Sequence, residues 1–293
     1  MGILLGLATA LSWGGSDFLA RFATQRIGTL RTTFFMQLTG LALLTAALHW
    51  LGGWGHLADG SGWHPWGWGA LVGVCNALST LALYRSFEIG KMSIVAPISA
   101  SYPALTMVLS FFTGERLTAF RVSGILFAIL GVVLVAGGES KAEGHEETAN
   151  NRRGIGWAFV SACGFGVLFW LLGAEVVPRV GSVQTVWMIR LTSMIIAGAA
   201  VLLMRPTNSQ PLPEHSAGNV GVWILGMGAL DTTAFVLNNL GMRLEQVSVV
   251  SALSSLYGAV TVGLAALILR EKVSRSQWLG IAAIFLGIIF ISV

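Results

Sequence analysis

Charge is what this sequence has least of. Its 293 residues include 17 Lys and Arg and 13 Asp and Glu, so charged residues are 10% of the chain, against roughly 25% in an average soluble domain. A water-soluble fold of this size needs more polar surface than that, which rules out a soluble globular enzyme, a disordered chain and a nucleic-acid binder. The net charge of +4 and pI near 9.5 suit a membrane protein with basic loops and imply no nucleic acid. Cysteine is scarce too. Cys75 and Cys163 lie inside apolar runs and read as buried thiols rather than as a disulfide. His49, His56, His64, His145 and His215 fall in loops or at the ends of apolar runs, and no H-E-x-x-H, P-loop or G-x-G-x-x-G motif occurs. An intramembrane zinc protease, a rhomboid-like protease and an ATP-driven pump are therefore unsupported. We expect no catalytic centre, no metal and no cofactor.

What the chain has in excess is apolar surface and glycine. Hydrophobic residues make up 55%, mean hydropathy is +0.76, and glycine numbers 37, nearly twice the usual share of roughly 7%. Small residues let membrane helices approach closely. A helix needs ~20 apolar residues to cross ~30 Å of hydrocarbon. Such runs fall at 3–23, 32–51, 68–87, 92–113, 121–138, 154–174, 184–204, 219–239, 247–269 and 276–293. The first lacks a basic leader and a cleavage site and reads as a spanning helix, not a signal peptide. Ten helices put both termini on one side. The most polar stretch, 139–153, reads as a linker between a first five-helix repeat at 1–138 and a second at 154–293.

The two halves repeat one another. Arg26 to Thr32 recurs as Arg179 to Thr185, Gln37 to Thr39 as Arg190 to Thr192, and Ser93 to Thr106 as Ser248 to Thr261. Gly114-Glu115-Arg116 pairs with Arg270-Glu271-Lys272, and Gly124 and Gly131 with Gly280 and Gly287, all at a slowly drifting offset. An odd number of spans per repeat inverts the second relative to the first. Inverted repeats are the pattern of secondary transporters, with the substrate near the midplane where the halves meet.

Ten short helices as five plus five, with Ala- and Ser-rich fourth and ninth helices that run into Glu115-Arg116-Leu117 and Glu271-Lys272-Val273 and then a Gly-x6-Gly helix, resemble the drug/metabolite transporter superfamily. Within it, the chain resembles the EamA-type family over its whole length. The resemblance implies a basket-like all-α fold with a central cavity lined by helices 1, 3, 4, 6, 8 and 9. It also implies a multi-pass protein of the inner (plasma) membrane that exports small metabolites, with aromatic and other neutral amino acids as the nearest analogy. On orientation two arguments diverge. The larger share of Lys and Arg gathers at the span ends opposite Met1, while Arg116, Arg121, Arg179, Arg190 and Arg243 fall to the ends on the Met1 side. The positive-inside rule then favours termini outside, whereas the family implies termini in the cytoplasm, the orientation adopted here.

A few residues stand out against this background. Tyr102-Pro103 breaks helix 4 near its middle, either as a kink beside the substrate or as a packing kink with Tyr102 bonded to a neighbour. Its repeat mate is Tyr257-Gly258. Trp13 in helix 1 aligns with Phe165 in helix 6, both amid glycines, as pocket walls or as interior packing. Asp17 and Asp231 are acids inside spans, functional by default and able to take a coupling proton, although Asp17 has Arg21 one turn on. Asp231, Phe235 and Asn238 share a helix face, and Asn76 and Thr80 make a weaker one. Glu115 and Glu271, beside basic residues at helix ends, read as structural. The resulting expectation is a transporter in which Trp13, Tyr102, Phe165 and Tyr257 contact the apolar part of a substrate, and Asn76, Asp231 and Asn238 its polar ends. Its partners are a small molecule and the lipid bilayer, with oligomeric state open. A transporter of another solute class, or a non-transporting helical bundle, is the competing reading.

Overall fold

In the computed structural model, residues 1–51, 53–60, 62–116, 118–137, 145–204, 217–271 and 273–292 are described. Among them ten helices are long and apolar enough to span a membrane: α1 Gly2–Ile27, α2 Thr29–Leu51, α3 His64–Ile89, α4 Met92–Phe112, α5 Ala119–Gly137, α6 from His145 to Val180, α7 Ser182–Leu203, α8 Ala217–Met242, α9 Val247–Leu269 and α10 Arg275–Ser292. Each matches a run read from hydropathy. One boundary differs. Part of the stretch expected to be linker, 145–153, is the first turns of α6, because that polar segment docks: Asn151 accepts a hydrogen bond at 3.0 Å from the backbone N–H of Lys91. The remainder of the linker, with Lys141, lies outside the described residues, as do Leu117, Arg205, His215 and Lys272.

α4 and α9 are broken at matched places. α4 stops at Ala100 and restarts at Pro103, since proline has no N–H to continue the ladder. Ser101 N–H bonds the Ile98 carbonyl and Tyr102 N–H the Ser99 carbonyl instead, tightening the turn. α9 breaks at Leu256 without a proline, its N–H turning to the Leu253 carbonyl. The same bend in both halves, with proline in only one, marks it as a property of the architecture.

Contacts are duplicated as well. Gly124 of α5 sits so close to α10 that an added Cβ would lie 2.6 Å from the Gly287 carbonyl oxygen, and Gly131 would meet that of Gly280 at 2.5 Å. Each of these four glycines lies where its neighbour's backbone leaves no room for a side chain. Gly73 of α3 abuts Thr192 of α7, while Gly228 of α8 abuts Thr39 of α2. This is one contact made twice, and it sets Asn76 opposite Asp231, and Thr80 opposite Phe235, in the repeat.

Glu115 and Glu271 close the two faces of the bundle. Glu271 accepts from Met92 N–H at 3.2 Å, Ser93 N–H at 2.8 Å and Ser93 Oγ at 2.6 Å, capping the start of α4 from the other half. On the opposite face Glu115 accepts from Ser248 Oγ at the start of α9. Chain reversal before each glutamate needs a left-handed residue, Gly114 at φ 101° in one half and Arg270 at φ 53° in the other. Glu271→Ala leaves three donors without an acceptor, and we expect a loss of about 0.5–2 kcal/mol, read as the midpoint of SDS unfolding. An unchanged midpoint would show the cap to be idle.

Candidate functional site

Helical spacing supplies the site in pairs one turn apart. Trp13 and Asp17 come from α1, Thr80 and Tyr84 from α3, Phe165 and Phe169 from α6, and Asp231 and Phe235 from α8. Leu83, Tyr102 and Tyr257 complete the wall, the last two beside the breaks of α4 and α9. The cavity they enclose is about 30 Å³, room for one or two waters. A solute of amino-acid size enters only if the rings part. The lining helices are α1, α3, α4, α6, α8 and α9, the six that the family resemblance implied.

The rings form one packed cluster. Trp13 meets Phe235 edge-on at 5.1 Å, Phe169 at 5.4 Å and Tyr257 at 6.0 Å between centroids. Tyr102 packs on Phe169 at 4.7 Å, and Phe165 stacks on Phe169 at 5.9 Å. Such contacts contribute about 0.5–1.5 kcal/mol each beyond area burial. The Tyr102 hydroxyl is committed elsewhere, donating to the Ser251 carbonyl at 3.1 Å with Ser254 Oγ at 2.9 Å. Its ring therefore faces the cavity while its hydroxyl ties α4 to α9. The Tyr257 hydroxyl, by contrast, is buried with no hydrogen-bond partner.

Both intramembrane acids reach the wall, in different circumstances. Asp231 is paired with Arg190 of α7 at 2.6 Å. The same Nη1 donates to Gln37 of α2 at 2.8 Å, and the guanidinium lies 5.0 Å from the Phe235 ring centroid. Arg190 is fully buried near the middle of α7, so it is not one of the span-end cations among which it was counted for orientation. The signal was present in the sequence: Gln37, its repeat mate, is also polar inside a span. Among the described residues, no such cation pairs with Asp17. Its Oδ2 is buried without a hydrogen-bond partner, and Arg21 turns away to donate to the Phe87 and Gly90 carbonyls.

Of the residues singled out in the sequence, Trp13, Asp17, Tyr102, Phe165, Asp231 and Tyr257 meet in this cavity, with Pro103 at the adjoining helix break. Asn76 and Asn238 are not in its wall. Asn76 donates to Ser193 Oγ at 3.1 Å, joining α3 to α7. Asn238 is fully buried and lies 3.6 Å from the sulfur of Met242 in its own helix. Tyr84, Leu83 and Phe169 were missed, and i+4 spacing from Thr80 and Phe165 would have found two of them. Among the described residues no group of three or more His, Cys, Asp and Glu is placed to hold a metal.

Ten spanning helices in two inverted halves, closing on a cavity walled by both, define a polytopic membrane protein of the duplicated five-span class. The comparison with family models makes this particular: residues 1–137 and 152–293 match the EamA-like transporter family, and the chain belongs to it. A solved crystal structure of a protein is similar over 99% of this chain and 96% of its own, with a TM-score of 0.70 and 19% identity, a likeness of fold. An uncharacterized protein of Methanocaldococcus jannaschii is 39% identical over 64 residues, 22% of this chain and 47% of that relative. The match spans about half of that relative's length.

Proposed function

We propose that this protein is a secondary transporter of the inner (plasma) membrane that exports small amphipathic metabolites, aromatic and other neutral amino acids first among them, by alternating access. The observation that carries this reading is the cavity between the two repeats: a cluster of aromatic rings holding two carboxyl groups, in a membrane-spanning chain of a transporter family. Trp13, Tyr102, Phe165 and Tyr257 offer an apolar side chain its surface. Asp17 and Asp231 offer an ammonium its counter-charge, and Asp17 is the carboxyl free to exchange a coupling proton. Asn76 acts behind the wall by tying α3 to α7.

Counterflow tests this. Proteoliposomes loaded with unlabelled phenylalanine should accumulate labelled phenylalanine. Trp13→Ala should lower that rate by roughly 2- to 10-fold, the worth of one aromatic contact. If a nucleoside, sugar or drug exchanges while no amino acid does, the substrate assignment fails. If no solute exchanges, the transport assignment fails and the chain is a helical bundle without flux.

A further inference from the structure

We propose that the central site selects for an ammonium group and against a free carboxylate, so that amines and carboxyl-blocked amino acids bind better than the parent amino acids. This rests on the site assigned above and narrows its substrate class. Among the described residues, none in the cavity wall is Lys, Arg or His, whereas two are Asp. The nearby cation, Arg190, is not in the wall: it is fully buried, its Nη1 is shared between Asp231 and Gln37, its guanidinium lies 5.0 Å from the Phe235 ring centroid, and its Nε and Nη2 have no hydrogen-bond partner. One carboxyl of the two is thereby matched. The other, Asp17, presents a buried oxygen with no hydrogen-bond partner, and the unpartnered Tyr257 hydroxyl shares the same space.

A positive nitrogen entering this space gains a charge-assisted hydrogen bond to Asp17 and the faces of surrounding rings, which attract cations. A carboxylate entering with it meets Asp17, Asp231 and those same electron-rich faces. It meets no cation in the wall, and the unpartnered Nε and Nη2 of Arg190 are out of its reach while Asp231 and Phe235 keep their places. Discrimination here comes from a receptor withheld rather than from one supplied. The specificity determinant is the Gln37–Arg190–Asp231 cluster, assembled from α2, α7 and α8.

Four ligands that share a phenyl ring separate the terms: phenethylamine, phenylalanine methyl ester, phenylalanine and 3-phenylpropanoate, each titrated calorimetrically into the purified, detergent-solubilised protein. We expect the amine and the ester to bind about tenfold or more tighter than phenylalanine, and the carboxylate alone not to bind. Asp17→Asn should weaken phenethylamine by a similar factor. Asp231→Asn, which releases Arg190, should shift the preference back toward phenylalanine. If phenylalanine binds the unmodified protein as tightly as the amine, this inference falls while the amino-acid transporter reading stands. Failure of all four to bind or to exchange overturns both. The ligand series on the unmodified protein decides the matter even if a variant fails to fold.

Discussion

Gly131→Leu is expected to abolish recovery of folded protein, and Gly131→Ala to cost about 1–3 kcal/mol. At this crossing a Cβ on residue 131 would fall 2.5 Å from the Gly280 carbonyl oxygen and 2.7 Å from the Ile284 backbone nitrogen. Backbone cannot step aside as a flexible side chain can, so α5 and α10 must separate along their whole contact. Close approach is what holds membrane helices together, because lipid tails solvate an apolar helix as well as another helix does. Gly156 and Gly263, also in helices, have open space where a Cβ would go. Alanine there should be neutral or stabilising by up to about 1 kcal/mol. Size-exclusion profiles of detergent extracts and SDS-unfolding midpoints distinguish the two groups. Equal behaviour of Gly131→Ala and Gly156→Ala would contradict the packing argument.

Arg190→Ala is expected to destabilise the protein by about 3–5 kcal/mol, the cost of leaving a buried charge without its partner. Asp231 would remain in the wall with Gln37 as its nearest former co-ligand, and Phe235 would lose the cation packed against its face. Removing both charges is a different perturbation. The double variant Arg190→Ala, Asp231→Ala should recover much of the loss, giving a coupling of about 0.5–3 kcal/mol in an SDS-unfolding cycle. Strict additivity would mean the two groups do not interact, contrary to their 2.6 Å separation.

The span count, the duplication and the break at Tyr102 were legible because each depends on local sequence alone. A run of apolar residues, a repeated string and a proline in mid-helix need no knowledge of neighbours. Asn76 and Asn238 show where that stops. Spacing tells which residues share a helix face, but not what that face meets: Asn76 meets α7, and Asn238 is buried beside Met242 of its own helix, outside the cavity wall. Arg190 was misplaced for the converse reason. A lone cation in an apolar run is taken for a span end when its partners, Gln37 and Asp231, lie far away in the chain. The register of α3 against α8 likewise became visible only through the paired contacts of Gly73 and Gly228.

The two glutamates that cross between the halves bear on what the duplication means for folding. Glu115 in the first half accepts from the Ser248 hydroxyl at the start of a second-half helix, and Glu271 in the second caps a helix of the first. The glycine contacts likewise pair Gly124 with Gly287 and Gly131 with Gly280, each across the halves. A half-length polypeptide would carry a cap with no helix start to receive it and a notch with no ridge to fill it. The repeat is therefore a unit of ancestry in the sequence but not a domain in the folding sense, and the smallest cooperative body is the pair.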